Sequence, residues 1–280
     1  MTLLVNGQTE TQLPAARRAL DYGDGLFETM RYENGQVSLW TYHLARLVEG
    51  AERLAIDQSS IQIVDEMQQM LDHLHSQSLT EGVIKLRLIR GGDQRGYAPQ
   101  VQVEHWRIFE FFEFLPEWGE AETAILCTQK TGLQKQLAGL KHLNRLEQVM
   151  AAKEVSESQA STGIMLDHQD SLCCAIDSNL YIEIEGKIVT PALEQSGVRG
   201  VFRSYAFDQL EKMGISVVAE DVDISLLSGC SGLWLSNAVK GLRPVQSVAG
   251  IASWPNPESP ILKSLQENTR QALQIGSGSR

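Results

Sequence analysis

The sequence predicts a mixed α/β (α+β-like) fold in two lobes. Three observations carry this: a length of 280 residues, an order of strand-like and helix-like segments without the regular alternation of a doubly wound sheet, and a Pro, Trp and Gly interruption in residues 115–120. At roughly 150 residues per domain the length suits two lobes. With 42% hydrophobic and 21% charged residues the chain has ordinary globular composition, which excludes a disordered or fibrous protein.

Taken in order, Asn6-Gly7 and Asn34-Gly35 are turn dipeptides beside apolar runs at 3–5 and 37–40, so the chain opens with two β-hairpins. Leu44, Leu47, Val48, Ala51 and Leu54 then follow helical spacing, and a second helix is expected over 61–75. Residues 83–90 alternate, with Ile84, Leu86 and Leu88 on one face, and 106–114 is an aromatic-rich strand. A glycine-rich loop carrying Arg95, Gly96 and Tyr97 joins them. The stretch 115–120 reads as an interdomain linker between an N-terminal α/β lobe, 1–114, and a C-terminal α/β lobe, 121–280. In the second lobe the pattern predicts a strand at 124–128, a helix through Leu143, Leu146, Val149 and Met150, and a hairpin over 180–189 turning at Glu185-Gly186. A helix over 201–213, strands at 215–219 and 232–235, and a closing helix over 259–275 follow, with a frayed GSGSR tail.

A net charge of −11 repels nucleic acid and anionic lipid, so neither is an expected partner, and an anionic ligand must meet local positive charge. The opening residues lack a basic, then apolar, leader pattern and no apolar run approaches a membrane span, so the expected location is cytoplasmic. The four cysteines show no CxxC or Cys/His ligand spacing; reduced thiols and no metal are expected. His73 and His75 lie two apart on an expected helix and point apart, as exposed polar residues rather than ligands. P-loop, GxGxxG, HExxH and nucleophile-elbow motifs are absent. Lys141 follows an apolar, glycine-containing run just before a helix. Two readings of it are open: a desolvated lysine with its lone pair freed for imine chemistry, or a snorkelling surface lysine.

The segment Gly139-Leu140-Lys141-His142-Leu143-Asn144-Arg145-Leu146-Glu147-Gln148-Val149 resembles the lysine motif of the aminodeoxychorismate lyase branch of the fold type IV pyridoxal-phosphate enzymes, a family that includes branched-chain and D-amino-acid aminotransferases. Asp21 to Thr29 resembles the family's GDGxFET element, His43-Leu44-Ala45-Arg46-Leu47 its HLxRL helix, and Arg95-Gly96-Tyr97 the lyases' RGY loop. Ser178-Asn179-Leu180 with Thr190-Pro191, Gly197-Val198-Arg199-Gly200 and Ser236-Asn237-Ala238-Val239 continue the family order, so the resemblance covers nearly the whole chain.

The resemblance implies the two-lobed fold type IV architecture, with the C-terminal lobe carrying the cofactor lysine, and a homodimer. It implies pyridoxal 5'-phosphate held covalently by Lys141, which also serves as the base, with the phosphate gripped by Arg46 and by backbone N–H groups of Val198, Arg199, Ala238 and Val239. It implies conversion of 4-amino-4-deoxychorismate to 4-aminobenzoate, a folate precursor, and pyruvate. Arg95, Tyr97 and Arg31 are the candidate substrate-binding residues, with Arg90 and Arg243 further candidate cations. One position departs: family members carry a glutamate five residues before the Asn of SNL, opposite the pyridine nitrogen, and this chain has Cys174. A thiol offers no carboxylate charge, so elimination is expected to survive better than amino transfer. An aminotransferase acting on a small amino acid, or a dimeric scaffold with altered or lost activity, are the competing readings.

Overall fold

The computed structural model describes residues 2–56, 60–100, 102–255 and 259–275; the predicted GSGSR tail lies outside them. The chain divides into two compact units: Met1–Pro116 with Leu140–Asn144, and Glu117–Gly139 with Arg145–Arg280. Lys141, expected in the C-terminal lobe, is thus grouped with the first unit. The reason is backbone pairing: the Phe27 N–H donates to the Lys141 carbonyl at 3.0 Å and the Leu143 N–H to the Gly25 carbonyl at 2.9 Å.

The first unit is built on six antiparallel strands, β1 (Thr2–Val5), β2 (Gln8–Thr9), β3 (Gly25–Glu33), β4 (Gln36–Val37), β5 (Glu81–Ile89) and β6 (Trp106–Phe112), in the order β2-β1-β6-β5-β3-β4. Both predicted hairpins form, with left-handed φ at Asn6 (48°) and Gly7 (75°) and at Asn34 (53°) and Gly35 (77°), the conformation that Asn-Gly turns adopt most readily. Alternation along β3 turns Leu26, Glu28, Met30 and Tyr32 to its buried face, so one carboxylate sits in an apolar row. Helix α2 (Trp40–Arg53) packs on β3 and α3 (Ser60–Ser76) on β6. A short helix, α1 (Arg17–Tyr22), precedes them and has no apolar period that would announce it.

In the second unit ten strands form one sheet: β7 (Glu122–Leu126), β8 (Thr162–Leu166), β9 (Ser171–Ala175), β10 (Asn179–Ile184), β11 (Lys187–Pro191), β12 (Val217–Glu220), β13 (Val222–Asp223), β14 (Gly232–Asn237), β15 (Gly241–Val248) and β16 (Ala252–Ser253). Their order is β12-β11-β10-β14-β15-β7-β8-β9-β13, with β16 paired to β15. One apolar core collects Ala124, Ile164, Leu172, Leu180, Val189, Leu233 and Val245 from seven of these strands. Strand β8 is buried at every position, which erases the alternation that reveals a half-buried strand. Helices α4 (Leu146–Ser156), α5 (Val201–Lys212) and α6 (Pro260–Ala272) complete the unit. The helix expected through Leu143 begins only at Leu146, and the stripe that predicted it faces outward: Leu146, Val149 and Met150 are 79%, 60% and 53% exposed, while Ala151 is buried.

Candidate active site

In the first unit the lysine segment runs beside the start of β3. The Lys141 Nζ lies 4.3 Å from the centroid of the Phe27 ring, a cation–π distance, and the side chain is half-buried. Neither a fully desolvated amine nor a free surface lysine describes it. One strand position beyond Phe27, the fully buried Glu28 receives two groups from α2. Arg46 Nε donates to Glu28 Oε1 at 2.8 Å and Arg46 Nη2 to Oε2, a bidentate pair, while His43 Nδ1 stands 2.6 Å from Oε2. The spacing of three residues places His43 and Arg46 on one face of α2. Burial alone would raise the Glu28 pKa, but the Arg46 and His43 contacts overcome it and bring it down to about 2. Burial lowers the His43 pKa against the opposing pull of Glu28. A neutral His43 therefore keeps its proton on Nδ1, facing the carboxylate, and its Nε2 is buried with no hydrogen-bond partner among the described residues. Glu28 and His43 were visible only as letters inside two motifs; strand alternation and the i, i+3 spacing are the signals that pair them.

In the second unit Cys174 sits on β9 opposite Met165 of β8, and the register slips at the next pair, leaving Cys173 as the extra residue of a bulge. Both cysteines consequently enter one buried cluster with Met165, Ala151 and Leu193, while Leu172 and Ala175 belong to the main core. The hydrogen bond to Cys173 and burial push the Cys174 thiol well above its usual range, so it is neutral. Cys173 accepts that bond and lies 3.3 Å from the Ser196 hydroxyl, which in turn accepts from Thr131 at 3.1 Å.

The strand β10 begins with Asn179, which clamps the next predicted element. Its Nδ2 donates to the Val198 carbonyl at 2.9 Å and its Oδ1 accepts the Gly200 N–H at 3.0 Å. A Cβ at Gly200 would fall 2.1 Å from that Oδ1, so any larger residue there would displace the Asn179 side chain from its bonds. Gly200 also caps α5, whose N-terminus has no side-chain cap. Of the four predicted backbone donors, two are spent internally: the Arg199 N–H on the Gly139 carbonyl at 3.0 Å, and the Val239 N–H on Asn237 Oδ1 at 3.0 Å. The N–H groups of Val198 and Ala238 make no hydrogen bond among the described residues.

Candidate cations fare unequally. Arg31 is buried, its Nε on Glu33 at 2.7 Å and its Nη1 on the Pro116 carbonyl at 2.9 Å, so it serves β3 rather than a ligand. Arg90 holds Asp24 and the carbonyls of Leu54 and Ala55; Arg243, 1% exposed, holds Glu122 and Ser178. Arg95 and Tyr97 are exposed on their loop. No group of three or more His, Cys, Asp or Glu suited to a metal occurs among the described residues.

The family model for amino-transferase class IV matches residues 25–248, which contain the Lys141, Glu28, Arg46, Cys174 and Asn179 positions just described. The chain belongs to the aminotransferase class IV family. Within it, the chain is 31% identical over 251 residues to an aminodeoxychorismate lyase of Vibrio harveyi, covering 88% of this chain and 90% of that protein. A crystal structure of 4-amino-4-deoxychorismate lyase from Pseudomonas aeruginosa superposes with a TM-score of 0.88 at 33% identity, covering 98% of this chain and all of that one. The branched-chain amino acid aminotransferase of Escherichia coli shares the fold, with a TM-score of 0.87 at 19% identity over 97% of this chain and 94% of that one. The two-lobed fold type IV expectation is thereby met. Aminotransferase class IV proteins depend on pyridoxal phosphate, and this chain's groups suit it: a lysine against an aromatic ring, an orphaned buried imidazole nitrogen, and unspent backbone donors at Val198 and Ala238. No helix among the described residues is long and apolar enough to cross a membrane.

Proposed function

We propose that this chain is a pyridoxal-phosphate-dependent lyase that converts 4-amino-4-deoxychorismate to 4-aminobenzoate and pyruvate, the aromatic product being a folate precursor. The observation that carries the proposal is the setting of Lys141, pinned through its carbonyl by Phe27, half-buried over the Phe27 ring, beside the buried Glu28–His43–Arg46 cluster.

When bound, pyridoxal phosphate supplies the electron sink that lets a proton leave the carbon bearing the substrate amine. Lys141 would hold the cofactor, and its amine would be the base that takes the ring proton at that carbon. The neighbouring carbon–oxygen bond breaks, the enolpyruvyl group leaves and takes up one proton to become pyruvate, and the ring is aromatic; atoms balance without a second substrate. In the first unit, Arg46 meets the phosphate with an orientation already fixed by Glu28. In the second unit, the N–H groups of Val198, just before α5, and of Ala238, in the loop after β14, would be the backbone donors for a phosphate. Cys174, a neutral thiol, would be the partner of the pyridine nitrogen, which suits an elimination driven by aromatisation better than amino transfer. Arg95 and Tyr97 meet the substrate. A homodimer goes with this reading, supported by the exposed apolar stripe of Leu146, Val149 and Met150. A cytoplasmic location is supported by four free, buried cysteines.

The test is to incubate the cofactor-loaded protein with 4-amino-4-deoxychorismate and no keto acid. Equimolar 4-aminobenzoate and pyruvate are expected, with a loss of about 10³-fold or more in Lys141→Ala. No product from a protein whose Lys141 still gives a borohydride-reducible cofactor bond overturns the lyase reading and directs the search to amino-acid substrates.

A further inference from the structure

The loop from Gly91 to Gln100 carries the exposed Arg95 and Tyr97 but has no regular structure of its own, so something outside it must set where those side chains stand. The N-terminal part of the loop is held by the Gly91 N–H on His105 Nδ1 at 3.0 Å and the Asp93 N–H on Gln100 Oε1 at 3.2 Å; the tip at Gly96 and Tyr97 is held by one guanidinium. Arg18, on α1, is 4% exposed although arginine is among the residues least often buried. Its Nη2 donates to the Tyr97 carbonyl at 3.0 Å, its Nη1 to the Gly96 carbonyl at 3.3 Å, and its Nε to Asp24 Oδ2 at 2.8 Å. Its guanidinium also lies over the Tyr22 ring at 5.2 Å, and Tyr22 meets the Tyr97 ring at 5.3 Å. Gly96 has φ +88° and open space where a Cβ would stand, so the backbone there takes a conformation that β-carbon-bearing residues rarely hold.

Asp24 ties this contact to the rest of the unit. Its carboxylate also receives Arg90 Nε, and Arg90 spends both terminal nitrogens on the carbonyls of Leu54 and Ala55 at the end of α2. The loop, α1, the start of β3 and the end of α2 are thus joined by two arginines and a shared carboxylate. Each nitrogen of the Arg18 guanidinium makes a hydrogen bond, and the planar fork reaches the carboxylate and two carbonyls at once, which a lysine ammonium cannot do in that plane.

We propose that Arg18 is a positioning residue for substrate recognition: it fastens the backbone at Gly96 and Tyr97 to Asp24 and Tyr22, and so holds Arg95 and Tyr97 in the one arrangement that meets an anionic substrate. This rests on the lyase reading for the identity of the substrate, but the fastening itself is independent of any activity. The clamp acts on binding and not on the proton transfer at Lys141, so its loss raises KM and leaves kcat nearly untouched.

Two readouts separate the claims. The first is limited trypsin digestion of the folded dimer or monomer, with and without cofactor, following the fragment pair cut at Arg95–Gly96. Arg18→Ala is expected to speed that cut at least tenfold while cuts elsewhere keep their wild-type rates. Arg18→Lys keeps a cation for Asp24 and the fold with it, and is expected to speed the cut by a smaller factor. The second is steady-state kinetics with 4-amino-4-deoxychorismate, where Arg18→Lys is expected to raise KM about tenfold with kcat within about threefold. A wild-type cutting rate at Arg95–Gly96 in Arg18→Lys overturns the clamp. Faster cutting with an unchanged KM overturns its role in recognition. If the wild-type protein makes no 4-aminobenzoate, the lyase reading fails while the digestion still decides the clamp.

Discussion

The surroundings of Glu28 in the first unit and of Cys174 in the second bury polar groups in opposite ways. Around Glu28 the groups are ionic and mutually neutralising: a carboxylate near 1% side-chain exposure is held by a guanidinium and an imidazole. Around Cys174 they are thiols and hydroxyls, chained from Cys174 through Cys173 and Ser196 to Thr131: Cys174 is a neutral thiol, while the bonds from Cys174, Ser196 and Thr131 bring Cys173 down to about 7 against the pull of burial. Charge buried in this way is expensive to interrupt, because the remaining partner is left unpaired in a low dielectric, whereas a thiol is a weak donor and costs little to lose. The first unit therefore stakes stability on a paired charge, and the second on weak bonds between thiols and hydroxyls.

Breaking the ionic cluster has the largest expected effect. Glu28→Ala removes the carboxylate that both Arg46 and His43 meet and is expected to lower unfolding stability by about 3–5 kcal/mol, read by urea denaturation of the cofactor-free protein. A loss under about 1 kcal/mol would mean that the cluster is wetter than its burial implies.

Acid probes the same cluster without mutation. Glu28 titrates at about 2 in the fold against a usual 4.5, so its contribution is whole above 4.5 and drains as pH falls toward 2. His43, also held below its usual 6.5, adds a loss that starts as pH drops below that value, because the unfolded chain takes up the proton first. Both slopes have the same sign, on the order of 3 kcal/mol for Glu28, and Glu28→Gln is expected to flatten the acid limb below pH 4.5. An unchanged limb would assign acid sensitivity to other carboxylates.

Two smaller changes sharpen the contrast from the neutral side. Asn179→Ala removes both bonds that clamp Val198 and Gly200 and is expected to cost about 1–3 kcal/mol, with weaker cofactor retention on dialysis. Cys174→Ala is expected to cost about 1 kcal/mol or less. A cost near that of Glu28→Ala would show that the thiol chain bears more than its chemistry suggests.

The fold was largely legible because its hairpins, the α2 stripe and the β5 alternation are local signals, and because motif order spans the chain. What escaped depends on partners distant in sequence. Arg46 read as a phosphate ligand, but its bidentate hold on Glu28, 18 positions away, follows only once β3 faces α2. Arg18 carried no signal in the sequence, since the carbonyls that bury it lie 78 and 79 residues further on. Arg31, Arg90 and Arg243 read as free cations for the same reason. The α4 stripe predicted a helix at the right place with the wrong face inward, because apolar spacing reports period and not which side is covered.

The most direct measurement compares wild type and Cys174→Glu, both cofactor-loaded, for 4-aminobenzoate release without a keto acid and for amino transfer from amino acids to a keto acid. Lyase turnover is expected in the wild type with little amino transfer, and a clear rise of amino transfer in Cys174→Glu. Absent lyase turnover in the loaded wild type, or no rise in the variant, would contradict this reading.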